Sequence, residues 1–135
     1  MIVKLTEGTS YINPYAKGQI TNAKTAGLVV SAYHFSRYTN ATEACQEANY
    51  FVKVAKSYGL SSTTLMVNDV EDSDMIKNIN ANIQSWSDEM KKLGYSNLIH
   101  YTAASWLSTQ GGSIDVNKFG KKTFGLLVIP KAILI

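Results

Sequence analysis

Two acidic residues separated by one apolar residue, Asp69-Val70-Glu71, are the part of this sequence best suited to bond-breaking chemistry. Side chains two apart on a β-strand point to the same face, with their α-carbons about 6.5–7 Å apart. Two carboxylates held that close resist double ionisation, which favours one neutral acid beside one anion. Cleavage of a glycosidic bond needs that division: a protonated acid for the leaving oxygen and a carboxylate to manage the cationic transition state. Pattern alone leaves two other readings open. Asp69 and Glu71, with Asp72 and Asp74 beyond them, can form a solvated loop that caps the next helix. They can also hold a metal, but no matching set of further ligands is evident, so neither a metal nor another cofactor is expected.

The elements that must position this pair follow from periodicity. Ile2 to Thr6 is a short β-rich run closed by Glu7-Gly8. Asn13-Pro14 opens a helix to about Ala26, with Gly27 as its stop. Leu28 to Phe35 is a mostly apolar strand, and Ala41 to Tyr58 has helical spacing, with Ala44, Ala48, Phe51, Val52 and Ala55 on one face. Thr64 to Val70 is the third strand, Asp74 to Leu93 a long helix, and Asn97 to Tyr101 the fourth strand. Leu107 to Asn117 reads as irregular, and the tail from Phe124 as a fifth strand. Strands alternating with amphipathic helices argue for a parallel sheet with outer helices. An open doubly wound sheet and part of a barrel are both compatible, since a whole eight-stranded barrel typically needs about 250 residues.

In either closure, chemistry gathers at the carboxyl ends of the strands. Besides Asp69 and Glu71, those ends carry Glu7, Tyr33, His34 and Tyr101. Glu7 can reach the same face, although a lone glutamate before a glycine is more often a turn residue. Tyr33 and Tyr101 offer flat faces and hydroxyls suited to pyranose rings. His34 reads as a sugar ligand, a proton carrier or a core histidine; the last is commonest for an isolated histidine. His100 should point away from Tyr101 and be structural, Trp86 sits on an apolar stripe, and Trp106 fits either role.

Composition narrows the classes. The chain has 135 residues, 45% hydrophobic and 17% charged, which suits a single globular domain with a real core. A net charge of +3, spread as single lysines, is too thin for a nucleic-acid footprint. The single cysteine, Cys45, precludes an intramolecular disulfide and is expected to be buried or half-buried. The apolar stretch 124–135 is too short to span a bilayer, and no signal peptide is visible after Met1.

The strings Ile2 to Gly8 (IVKLTEG), Gly27 to Phe35 (GLVVSAYHF), Glu47 to Phe51 (EANYF) and Asp69-Val70-Glu71 occur in this order. Together they resemble glycoside hydrolase family 25, the muramidases of bacteria and their phages, over residues 2 to about 120. The resemblance implies a partial, irregular (β/α) barrel with parallel strands and outer helices. It implies hydrolysis of the β-1,4 bond after N-acetylmuramic acid in peptidoglycan glycan strands, outside the cell or at its wall. It also implies Glu71 as proton donor, Asp69 as the carboxylate that positions or stabilises, and Glu7, Tyr33, His34 and Tyr101 as cleft residues. Whether the substrate's own acetamido group or a water is the nucleophile stays open.

Two departures shape the expectation. The family's opening strand carries an Asp-x-Ser-x-x-Gln-Gly type motif, and its later strands carry another aspartate and a tryptophan-containing segment; neither has a counterpart here. The chain is therefore expected to be one hydrolase domain fragment over 1–135, truncated at both ends and of open activity. Residues 124–135 (FGLLVIPKAILI) lack the family's pattern, whereas a reading frame shifted by one base can yield an aromatic strand there. A frameshifted, non-native tail is the expectation, tested by the DNA across Lys121 to Phe124. Exposed barrel edges and this tail would favour a homodimer. The alternatives are a non-catalytic peptidoglycan-binding module and a flavodoxin-like open sheet. The second would want a phosphate loop after its first strand, where Glu7 is repellent.

Overall fold

A computed structural model describes residues 1–119. The strands are β1 (Ile2–Glu7), β2 (Tyr11–Ile12), β3 (Ser31–Phe35), β4 (Met66–Val70) and β5 (Leu98–Thr102), and the helices are α1 (Ala16–Thr25), α2 (Ala41–Ser57), α3 (Ile79–Lys92) and the short α4 (Val116–Phe119). The sheet order is β2-β1-β3-β4-β5; β1, β3, β4 and β5 run parallel, and β2 is antiparallel to β1. The proposed tail strand and frameshift fall outside the described residues.

The parallel strands follow one another across the sheet in chain order, without the reversal that a doubly wound sheet has at its centre. One hydrophobic cluster joins Val3, Leu5, Ala32, Met66 and Val70 of the strands to Ile20 of α1, Phe51 and Val52 of α2, and Ile83, Trp86 and Met90 of α3. The helices thus cover one face. A smaller cluster on the other face holds Ile2, Tyr33 and Val67, with Leu65 and Tyr101 packed against it. Winding in one direction with helices on one side is the topology of a barrel segment, which settles the choice that periodicity leaves open.

The sequence boundaries shift where local hydrogen bonds compete. The β3 run begins at Ser31, not Leu28, because the Leu28 amide donates to Ala23 O and closes α1; Leu28 and Val29 are exposed. Helix α1 begins at Ala16: Asn13 Oδ1 accepts from the Tyr15 amide and holds the preceding turn. Helix α3 begins at Ile79 rather than Asp74, since Asp72 caps a separate 3-10 turn (Ser73–Met75) and Asn78 takes a left-handed conformation at φ 56°. Strand β2, only two residues long, carries too little alternation to be read from sequence. Gly8, at φ +56°, turns β1 back into it.

Candidate active site

Strand register lays the functional residues out in rows. Glu7 pairs with Tyr11 on β2 and with Phe35 on β3; Phe35 pairs with Asp69 on β4, and Asp69 with Tyr101 on β5. Tyr11, Glu7, Phe35, Asp69 and Tyr101 therefore cross the whole sheet side by side. One step down each strand, Lys4, Tyr33, Val67 and Ile99 form the next row. Alternation keeps both rows on the face opposite the helices, and Val70 goes under the helices as expected.

A bulge makes the first row possible. The β1–β3 register shifts between Lys4 and Thr6, so Thr6 rather than Leu5 opposes His34. Leu5 and Thr6 both turn toward the helices: Leu5 enters the main core, and Thr6 Oγ1 lies 2.8 Å from His34 Nδ1. Lys4 and Glu7, three apart, then share the open face, which a regular strand forbids. Their ion pair is 2.8 Å long. The Lys4 ammonium also lies 5.2 Å from the Tyr11 ring centroid and 5.3 Å from that of Phe35.

Asp69 is 2% exposed, and its carbonyl accepts from the Ser36 amide at 2.9 Å. Glu71, immediately past β4, is half-buried. The Tyr33 hydroxyl is pushed up to about 12, first by burial, then by the negative charges of Asp69, Glu71 and Glu7. Tyr33 thus lies within electrostatic range of all three carboxylates. Tyr101 is half-buried and packs on the same Tyr33 cluster. Five of the six residues singled out from the sequence thus meet on one face.

His34 does not. It is fully buried on the helix side, its Nε2 2.7 Å from Glu47 Oε2 and its ring 5.4 Å from that of Phe51. Of the three readings open for His34, this placement is that of a core histidine with a satisfied hydrogen bond, because it alternates with Tyr33 and so faces α2. His100 is likewise fully on the helix side; Asn68 Nδ2 donates to its Nδ1 at 3.0 Å, and burial pushes it down to about 3, with Lys91 adding to the effect. Trp86 is core, and Cys45 half-buried on α2.

Arg37 is the residue that sequence reasoning missed. Its Nη2 and Nε donate to Glu7 Oε1 at 2.7 and 3.1 Å, and its Nη1 donates to Asp72 Oδ2 at 2.7 Å. The guanidinium lies 4.6 Å from the Phe35 ring centroid. Its amide donates to the buried Glu47 carboxylate, at 3.0 Å to Oε2. Burial raises the Glu7 carboxyl, but hydrogen bonds from Lys4 and Arg37 outweigh it and hold the group below its usual range. Asp72 is also lowered, chiefly by Arg37. Among the described residues, no group of three or more His, Cys, Asp or Glu could hold a metal ion, and no helix is long and apolar enough to cross a membrane.

These features define an α/β protein of barrel topology with a carboxylate-lined face at the carboxyl ends of its strands. The chain belongs to the glycosyl hydrolases family 25, whose model matches residues 1–122. It is 31% identical over 120 residues to lysozyme M1 of Streptomyces globisporus, covering 82% of this chain and 40% of that protein. The lysozyme from Streptomyces coelicolor superposes with a TM-score of 0.65 at 26% identity, over 81% of this chain and 54% of its own. The modular autolysin LytC from Streptococcus pneumoniae, in complex with a synthetic peptidoglycan ligand, gives 0.67 at 22% identity, over 77% and 26% of the two chains, a likeness of fold alone. The chain thus spans between 26% and 54% of the length of these relatives.

Proposed function

We propose that this chain carries the acid/base face of a peptidoglycan muramidase and acts on cell-wall glycan strands at the β-1,4 bond following N-acetylmuramic acid. The observation that supports the reading is Asp69 at the carboxyl end of β4, in register with Tyr101 and on the face of Tyr33, with Glu71 two residues on and within electrostatic range of Tyr33. Glu71, half-buried and beside an anion, is suited to deliver a proton to the leaving oxygen. Asp69, buried in the row between Phe35 and Tyr101, is suited to stabilise the oxocarbenium-like transition state and to orient the sugar. Glu7, locked by Lys4 and Arg37, stays anionic and adds to the field felt by that charge. Tyr33 and Tyr101 supply flat walls and hydroxyls for the pyranose ring. Membership of a family with lysozyme relatives supports the substrate class and the site of action at the wall.

The test is loss of turbidity of a peptidoglycan suspension by the chain and by Glu71→Gln. Lysis by the first and not the second is expected. Glycan binding without lysis by the unsubstituted chain would favour the non-catalytic wall-binding reading. The homodimer is likewise proposed, through exposed barrel edges and the apolar tail of the sequence; a sedimentation mass of one chain would overturn it.

A further inference from the structure

Beyond the paired carboxylates, the row across the sheet ends in an aromatic side chain with no role in the chemistry. Tyr11 is 43% exposed on β2, directly opposite Glu7. Large aromatic rings are usually placed inside unless something holds them at the surface. Here the Lys4 ammonium does the holding: it sits 5.2 Å from the Tyr11 ring and 5.3 Å from the Phe35 ring while paired with Glu7 at 2.8 Å. The ring therefore stands over the site face rather than turning away to solvent. Its register partner Glu7 and the Lys4 ammonium both belong to that face, so the ring borders the same space as Asp69 and Tyr33. The alternation of aromatic and acid along Tyr11, Glu7, Phe35, Asp69 and Tyr101 gives stacking surfaces separated by hydrogen-bond acceptors, the chemistry that a chain of sugar rings presents in complement.

Resting on the muramidase reading, we infer that Tyr11 is a glycan-contacting residue at the outer end of the cleft, stacking on a hexosamine ring distant from the bond that is cleaved. Adjacent strands lie about 4.8 Å apart. Tyr11 is three strand spacings from Asp69, roughly 14 Å along the row, which is beyond the sugar that occupies the acid pair. The platform consequently selects for length: a long β-1,4 glycan reaches it and a disaccharide centred on Asp69 and Glu71 does not. Tyr15, 73% exposed but outside the row, has no such geometry and serves as a control.

The experiment titrates the isotopically labelled chain with the β-1,4-linked tetramer of N-acetylglucosamine, and separately with the dimer, following amide shifts by NMR. Tyr11→Ala should weaken tetramer binding about five- to tenfold, consistent with loss of one stacked ring. It should leave the dimer unchanged, Tyr11→Phe should retain the affinity, and Tyr15→Ala should have no effect. Native amide dispersion of Tyr11→Ala shows that the fold is kept. Equal tetramer affinity for Tyr11→Ala and the unsubstituted chain overturns the inference while leaving the muramidase reading in place. Absence of tetramer binding by the unsubstituted chain overturns both.

Discussion

Arg37 Nη1 donates to Asp72 Oδ2 at 2.7 Å, and Asp72 directly follows Glu71. The same guanidinium holds Glu7 on β1, so one side chain ties the ends of β1 and β4 together through the loop after β3. Asp72 is also fixed as the cap of the Ser73–Met75 turn, accepting from the Asp74 amide at 3.0 Å. The backbone on the far side of Glu71 is therefore tethered, and the Glu71 side chain inherits that constraint.

Replacing Arg37 should separate positioning from stability. Its side chain is 49% exposed, so Arg37→Met should cost no more than about 1 kcal/mol in unfolding free energy. The lysis rate should fall more steeply, roughly ten- to a hundredfold, since a small displacement of an acid catalyst is costly. NMR titration should show the Asp72 carboxyl rising toward its ordinary value. An unaltered rate with a raised Asp72 would show that the tether does not matter to Glu71.

The buried pair beneath the site should behave oppositely. His34 and Glu47 side chains are 0% and 5% exposed, and Glu47 also receives the Arg37 amide. Glu47→Ala leaves the buried imidazole and the Arg37 amide without that partner, with an expected loss of about 1–3 kcal/mol. Urea unfolding followed by the fluorescence of the core Trp86 measures it; a loss under about 1 kcal/mol would contradict the account.

His100 makes the fold acid-sensitive in a defined window. Burial lowers it from 6.5 to about 3, so between those values the unfolded chain binds a proton that the folded chain refuses. Its contribution is fully present above pH 6.5 and is lost progressively as pH falls toward 3. At pH 5 the loss is about 2 kcal/mol. That lies above the range in which the lowered carboxyls of Glu7 and Asp72 titrate. His100→Gln should flatten stability between pH 7 and 5, and an unchanged slope would place the sensitivity elsewhere.

Alternation made the central pair legible: once Met66–Val70 is a strand, Asp69 must share a face with Val67 and Val70 must oppose it. The same rule, applied to Tyr33-His34-Phe35, puts His34 under α2 beside Phe51, the placement of a core histidine. What stayed hidden depended on breaks in period. The Leu5–Thr6 bulge, which brings Lys4 and Glu7 to one face, leaves no mark in residue type. Without it neither the Arg37 bridge nor the position of Tyr11 beside Glu7 can be anticipated. The late start of α3 was hidden for a related reason: Asp72 and Asp74 look like an N-cap, and whether they cap a helix or a 3-10 turn is decided by Asn78 in the left-handed region.

In the proposed reaction Glu71 protonates the bridging oxygen between C1 of N-acetylmuramic acid and C4 of N-acetylglucosamine. The most direct measurement digests purified peptidoglycan with the chain, reduces the products with borohydride and identifies the new sugar alcohols. Muramitol residues are expected from the unsubstituted chain and none above background from Glu71→Gln. Glucosaminitol in their place, or muramitol formed equally by the Glu71→Gln variant, would contradict it.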